Sequence, residues 1–216
     1  MFKNITFLFD LDGTLVNTIP LQLKCYKRAF NSFGISISAE DFYLNIGGKE
    51  IFHNICKKYN SQISFWDWYE IKNNIYYKLI DDGLDITPGA LSFIKNIKSS
   101  GYGVFIVSSS SVKNINKVVQ SINIHKYIDF IIGAEETEKG KPSPDPYLFA
   151  IQKYKLQPDQ CIAFEDTKNG IISAKKAGLF CVAISYFDKN DDSLGNADII
   201  YENFIEIDLD RLIKYT

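Results

Sequence analysis

Two aspartates one residue apart, Asp10 and Asp12, end the apolar run 5–9 and are followed at once by Gly13. The run is short and bounded, which predicts a buried strand. A buried carboxylate is costly unless it is paired or coordinated. The pair is therefore expected where the strand leaves the core, facing a cation or solvent. Gly13 lets the backbone turn sharply or come close to a ligand. Alone, the stretch reads either as an acidic turn or as a nucleophilic carboxylate beside a metal.

Other polar residues arrive at comparable places. The apolar strand predicted over 103–107 runs into Ser108 and Ser109, and the one over 161–164 runs into Glu165 and Asp166. Lys141 lies in Gly-Lys-Pro-Ser-Pro-Asp, residues 140–145, just before the helix that leads to that second strand. Converging carboxylates repel and raise one another's pKa unless a cation holds them. A hard divalent ion with oxygen ligands, Mg²⁺ above all, suits such a set. A carboxylate can also attack phosphorus, and phosphoryl transfer spreads negative charge over three oxygens. Lys141, the Ser108 hydroxyl, Ser109 and the backbone N–H groups from Gly13 are donors of the kind that charge requires. Asp12, set clear of the nucleophile's path, is placed to protonate a leaving oxygen and later to activate water.

The elements that must position these groups follow from periodicity. Apolar residues at helical spacing predict a helix from Thr18 and Pro20 to Gly34, a second from Ser38, a third through Ile51 and Tyr59, and a longer one over 64–82. No strand signal appears between Val16 and Gly83. From Thr87-Pro88, expected to cap a helix, the texture alternates: strands at 103–107, 130–132, 161–164, 180–184 and 198–200, with helices between and one terminal helix carrying Phe204 and Leu212. Strands alternating with helices imply crossover units, hence an α/β fold with a doubly wound, mostly parallel, Rossmann-like sheet and an inserted all-helical cap. The division expected is 1–15 with 84–216 as the catalytic core and 16–83 as the cap. In such a sheet ligands bind off the carboxyl ends of the strands, where the acidic and serine residues fall.

Bulk properties exclude several classes. The chain of 216 residues is 46% hydrophobic and 23% charged, ordinary for a globular protein. A net charge of −2 leaves no electrostatic footprint for nucleic acid. No apolar run approaches the roughly 18 residues of a membrane span, and Asp10 and Asp12 cut short the apolar start. Cys25, Cys56, Cys161 and Cys181 are widely spaced, as suits buried thiols in a reducing compartment, so a cytoplasmic protein is expected; a monomer or homodimer is the expected assembly. With only His53 and His125 present, a three-histidine metal site is excluded.

Together these stretches resemble the haloacid dehalogenase superfamily, whose four motifs occur in order. The first is Asp10-Leu-Asp12-Gly13-Thr14-Leu15-Val16, the second the strand ending in Ser108, the third Lys141-Pro142, and the fourth Glu165-Asp166 with the following Gly170. The resemblance implies Asp10 as nucleophile and Asp12 as general acid/base. It also implies Mg²⁺ held by the Asp10 carboxylate, the Asp12 carbonyl and Asp166, with Glu165 in reach through water. Ser108 and Lys141 would bind the phosphoryl group, and a helical cap would close over the site and select a small phosphorylated substrate. Members that cleave carbon–halogen or phosphonate bonds lack the second aspartate, so Asp12 favours phosphoesters. The chain is similar to the β-phosphoglucomutase and phosphoglycolate-phosphatase branch. The mutases carry a histidine shortly after the first motif, where this chain has Gln22, which cannot shuttle protons as an imidazole does. A phosphatase is the expectation, with a phosphosugar mutase as the alternative. In the cap, Gly48 and Lys49 fall where relatives place specificity residues, and an ordinary helix–helix turn accounts for them equally.

Overall fold

The structure is a computed structural model that describes residues 4–43, 48–187 and 192–216. Among these residues the strands Thr6–Phe9 (β1), Gly103–Val107 (β2), Phe130–Ile132 (β3), Cys161–Glu165 (β4), Phe180–Ile184 (β5) and Ile199–Tyr201 (β6) form one sheet. Its order is β3-β2-β1-β4-β5-β6 and every neighbouring pair is parallel. The expected doubly wound α/β fold is the one adopted. All of β1, β2 and β4 is buried, as strands covered on both faces require. The chain runs outward through β2 and β3 and then returns to the far side of β1. The switch point thus lies between β1 and β4, where such folds bind ligands.

By its contacts the chain divides into two compact units, Met1–Asn17 with Asp85–Thr216, and Thr18–Leu84. Unit boundaries coincide with a short seam: Val16 bridges Ile86 antiparallel, and the Asn17 amide donates to the Asp85 carbonyl at 2.8 Å. The smaller unit holds Ile19–Asn31 (α1), Ala39–Tyr43 (α2), Gly48–Lys58 (α3) and Phe65–Asp81 (α4), with no strand among its described residues. Its core is aromatic: the Trp68 ring lies 4.9 Å from Tyr26, 5.0 Å from Phe52 and 5.1 Å from Phe30. The Ser38 hydroxyl accepts from the Asp41 amide while the Asp41 carboxylate accepts from the Ser38 amide, a reciprocal cap that starts α2. Residues 44–47, the first part of the glycine loop, lie outside the described residues.

In the larger unit, Ala90–Ser99 (α5), Val112–Ser121 (α6), Asp145–Tyr154 (α7), Lys168–Lys176 (α8) and Leu209–Leu212 (α9) accompany the sheet. The two-residue strand period sends Phe7 and Phe9 to one face, against Phe93 of α5 and against Phe164. Leu8 packs in the other core cluster, with Tyr147 and Ala150 of α7 and Ile171 and Ala174 of α8. Position 10 continues Leu8's side.

Two local expectations differ from what forms. Thr87 does not cap α5 with its side chain; Gly89 holds that position, and the buried Thr87 hydroxyl donates to the Thr14 carbonyl at 2.7 Å. Extended backbone paired to the first motif aims the hydroxyl inward, where it must find an acceptor. The terminal helix is broken into a turn at Phe204–Glu206, α9, and a turn at Ile213–Tyr215. The side chains of Asn203 and Asp208 accept from Ile205 and Arg211 amides, and each restarts the chain locally. Among the described residues no helix is long and apolar enough to cross a membrane.

Candidate active site

The register places the acids. Phe9 is opposite both Ile106 and Phe164, so the ends of β1, β2 and β4 release Asp10, Ser108, Glu165 and Asp166 at one edge of the sheet. Asp10 is 7% exposed, and its amide donates to the Phe164 carbonyl at 2.9 Å. Lys141, its side chain 5% exposed, reaches three acceptors: Asp10 Oδ1 at 2.6 Å, Glu165 Oε1 at 2.6 Å and the Val107 carbonyl at 2.8 Å. These match the three hydrogens of an ammonium group.

The remaining acids have separate partners. Asp166 Oδ1 accepts from the Thr14 hydroxyl at 2.9 Å. A Cβ on Gly13, which has φ +99°, would lie 2.0 Å from Asp166 Oδ2. The Gly13 amide donates to the Val16 carbonyl at 2.7 Å. What this glycine gives the site is therefore space for a carboxylate, not an amide aimed at an anion. Gly170 does the same for Glu165, whose Oε2 would lie 1.8 Å from an added Cβ. The Tyr147 hydroxyl donates to Glu165 Oε1. Asp12 meets the segment that follows β2: its Oδ2 accepts from Ser110 Oγ at 2.7 Å and Ser108 Oγ at 3.2 Å.

One oxygen each from Asp10, Glu165 and Asp166 lies within 4.8 Å of the others. Burial, followed by the charges of Glu165, Asp166 and Asp12, holds Asp10 well above the usual carboxylate range, with Lys141 opposing. Burial and then Glu165 push Asp166 up to about 7, against the Thr14 hydroxyl and Lys141. Burial also works against the charge on Lys141, but Asp10 and Glu165 outweigh it and raise its pKa. Three carboxylates facing one ammonium carry a surplus of negative charge, and every donor is a hard oxygen. The residues fit a hard divalent cation.

Of the residues singled out in the sequence, the structure brings Asp10, Lys141, Glu165 and Asp166 into one cluster and Ser108 against Asp12. Ser109, by contrast, is exposed. In the helical unit Gly48 begins α3, Lys49 Nζ lies 5.5 Å from the Phe65 ring centre, and Gln22 Nε2 donates to Thr18 Oγ1 at 3.3 Å. Three contacts were not foreseen: Ser110 on Asp12, Thr14 on Asp166 and Tyr147 on Glu165. Ser110 and Thr14 sit inside the motifs themselves. Tyr147, at helical spacing, reads as core, and it is core everywhere but at its hydroxyl.

The sequence profile of the haloacid dehalogenase-like hydrolases matches residues 7–184. The chain belongs to this family. Among curated relatives, a phosphorylated carbohydrates phosphatase of Thermotoga maritima is 25% identical over 80% of this chain and 81% of its own. The solved structure of CbbY from Rhodobacter sphaeroides in complex with phosphate superposes with a TM-score of 0.83, at 25% identity over 95% of this chain and 96% of that one. β-Phosphoglucomutase from Clostridium difficile superposes at 0.82, with 26% identity over 99% and 97%. A haloacid dehalogenase-like fold hosts more than one chemistry, so the reaction must be argued from the residues.

Proposed function

We propose that this protein is a Mg²⁺-dependent phosphatase of a small phosphorylated metabolite, a sugar phosphate or phosphoglycolate type, acting through an aspartyl phosphate. The observation that carries this reading is the position of Asp10: its carboxylate touches Lys141 and stands in the acidic cluster, while Asp12 accepts from two serine hydroxyls. This arrangement supports Asp10 as nucleophile and Asp12 as acid/base. A carboxylate oxygen of Asp10 attacks phosphorus and the ester P–O bond breaks, with protonated Asp12 giving its proton to the leaving oxygen. Water then attacks the aspartyl phosphate, Asp12 takes its proton, and inorganic phosphate leaves. Lys141 and Ser108 donate to the phosphoryl oxygens. Mg²⁺, held by the Asp10 carboxylate, the Asp12 carbonyl and Asp166 with Glu165 nearby, would supply positive charge to the same oxygens.

The helical unit, residues 18–84, is the cap that selects the substrate, with Gly48, Lys49 and Gln22 as its specificity positions. Relatives named for phosphorylated carbohydrates and for a complex with phosphate support the substrate class. Four buried free cysteines support a reducing cytoplasm. A second reading, a phosphosugar mutase, is favoured by the similarity to a β-phosphoglucomutase and opposed by the amide at Gln22. Hydrolysis of p-nitrophenyl phosphate is expected in Mg²⁺ and lost in EDTA. Asp10→Asn is expected to lower kcat by more than about 10⁴-fold with the thermal melt retained. Conversion of β-glucose 1-phosphate to the 6-phosphate with little free phosphate would instead establish the mutase, and unchanged turnover in Asp10→Asn would end both readings.

A further inference from the structure

Glu165 is 1% exposed, and two donors share its Oε1: the Tyr147 hydroxyl and the Lys141 ammonium, the latter at 2.6 Å. Lys141 is at the same time 2.6 Å from Asp10 Oδ1. Two buried carboxylates therefore compete for one ammonium. A buried carboxylate with no other donor draws its cation closer, because the attraction is weakly screened there. The Tyr147 phenol meets part of the demand at Oε1, and it adds no positive charge, so the surplus negative charge of the cluster is preserved for a cation. Both side chains are buried, so bulk water does not substitute for the hydroxyl. One segment delivers both donors: Lys141 precedes α7 and Tyr147 lies in its first turn.

We infer that Tyr147 is a positioning residue, whose hydroxyl holds Glu165 so that Lys141 remains turned toward Asp10, where the phosphoryl group is bound. The inference rests on the phosphatase reading. The Tyr147 ring centre is 5.4 Å from Lys141 Nζ, so Tyr147→Phe keeps the ring beside the ammonium and removes only the hydroxyl. Losing a hydrogen bond to a charged acceptor is worth about tenfold in affinity. In Tyr147→Phe, inorganic phosphate titrated calorimetrically in saturating Mg²⁺ is expected to bind about tenfold more weakly, with KM for p-nitrophenyl phosphate raised alike. The Mg²⁺ concentration for half-maximal activity and kcat stay as in the wild type. In a Glu165→Gln background, where the competing charge is gone, adding Tyr147→Phe is expected to change phosphate affinity no further. Equal phosphate affinity in wild type and Tyr147→Phe overturns the inference, and so does a defect confined to the Mg²⁺ requirement. A wild-type protein that binds no phosphate overturns the phosphatase reading and this inference with it, an outcome distinct from the other two.

Discussion

The sheet unit and the helical unit both bury aspartates, and they treat them in opposite ways. In the helical unit Asp41 is 5% exposed and fully served: it accepts from Lys58, from the Ser38 amide at 2.9 Å, and from the Ser38 and Tyr59 hydroxyls at 3.0 Å each. The Lys58 hydrogen bond above all, joined by those of Ser38 and Tyr59 and opposed by burial, holds its carboxyl well below the usual range. In the sheet unit Asp10 and Asp166 are held above that range, by burial and by neighbouring acids. A carboxylate whose charge is favoured by its surroundings is a structural device. Carboxylates whose charge is disfavoured are kept at a cost that the fold alone does not repay, which is how binding and catalytic groups differ from capping groups. The contrast extends to packing. Around Trp68 the rings interlock, and among the described residues its Nε1 finds no hydrogen-bond partner, whereas at the ends of β1 and β4 Asp10 and Glu165 pair with Lys141 and Asp166 accepts from Thr14.

The contrast can be broken most severely at Gly170. An added methyl would press on a Glu165 carboxylate that Tyr147 and Lys141 prevent from moving. Gly170→Ala is expected to destabilise the protein by about 3 kcal/mol and to impair turnover, as read by urea denaturation and phosphate release. An unchanged midpoint would show that Glu165 is free to shift. Next in size, Thr14→Val removes the hydroxyl that orients Asp166. Mg²⁺ affinity by calorimetry is expected to fall about 10- to 100-fold with the melt little altered, and equal affinity would assign Asp166 another role.

The smallest effect sharpens the helical side of the comparison. Asp41→Asn is expected to cost about 1–2 kcal/mol at neutral pH. The folded pKa of Asp41 lies below its ordinary value of 3.8, so the stabilisation is present above about pH 4 and is lost as pH falls through the folded value. The gap between wild type and variant should therefore narrow only in strongly acid solution. A gap that closes between pH 5 and 7 would contradict the assignment.

Much of this arrangement was legible in the chain because it follows from strand ends. Apolar runs of limited length announced the strands, and whatever follows such a run must emerge at the sheet's edge, so Asp10, Ser108, Glu165 and Asp166 could be grouped from sequence. Lys141 was found from its place before α7. What could not be read was which side chain meets which, since that depends on the path of a loop over a few residues. Ser109 and Ser110 are the same residue type, yet only Ser110 turns toward Asp12. Tyr147 looks apolar by spacing, and its hydroxyl matters only because Glu165 happens to lie above it. Thr87 failed as a cap for the same reason: its hydroxyl answered to the Thr14 carbonyl, a partner far away along the chain.

The pairing of β1 with β4, residue 9 facing residue 164, has one more implication. Glu165 is the last residue of β4 and Asp166 the first beyond it; Glu165 meets Lys141 and Asp166 meets Thr14, and an oxygen of each stands in the same acidic cluster. Lengthening the chain by a single residue just ahead of position 165 would move Glu165 to the place that Asp166 holds and carry Asp166 one position further from the strand end. The count of residues along that strand is accordingly fixed by the acids at its end.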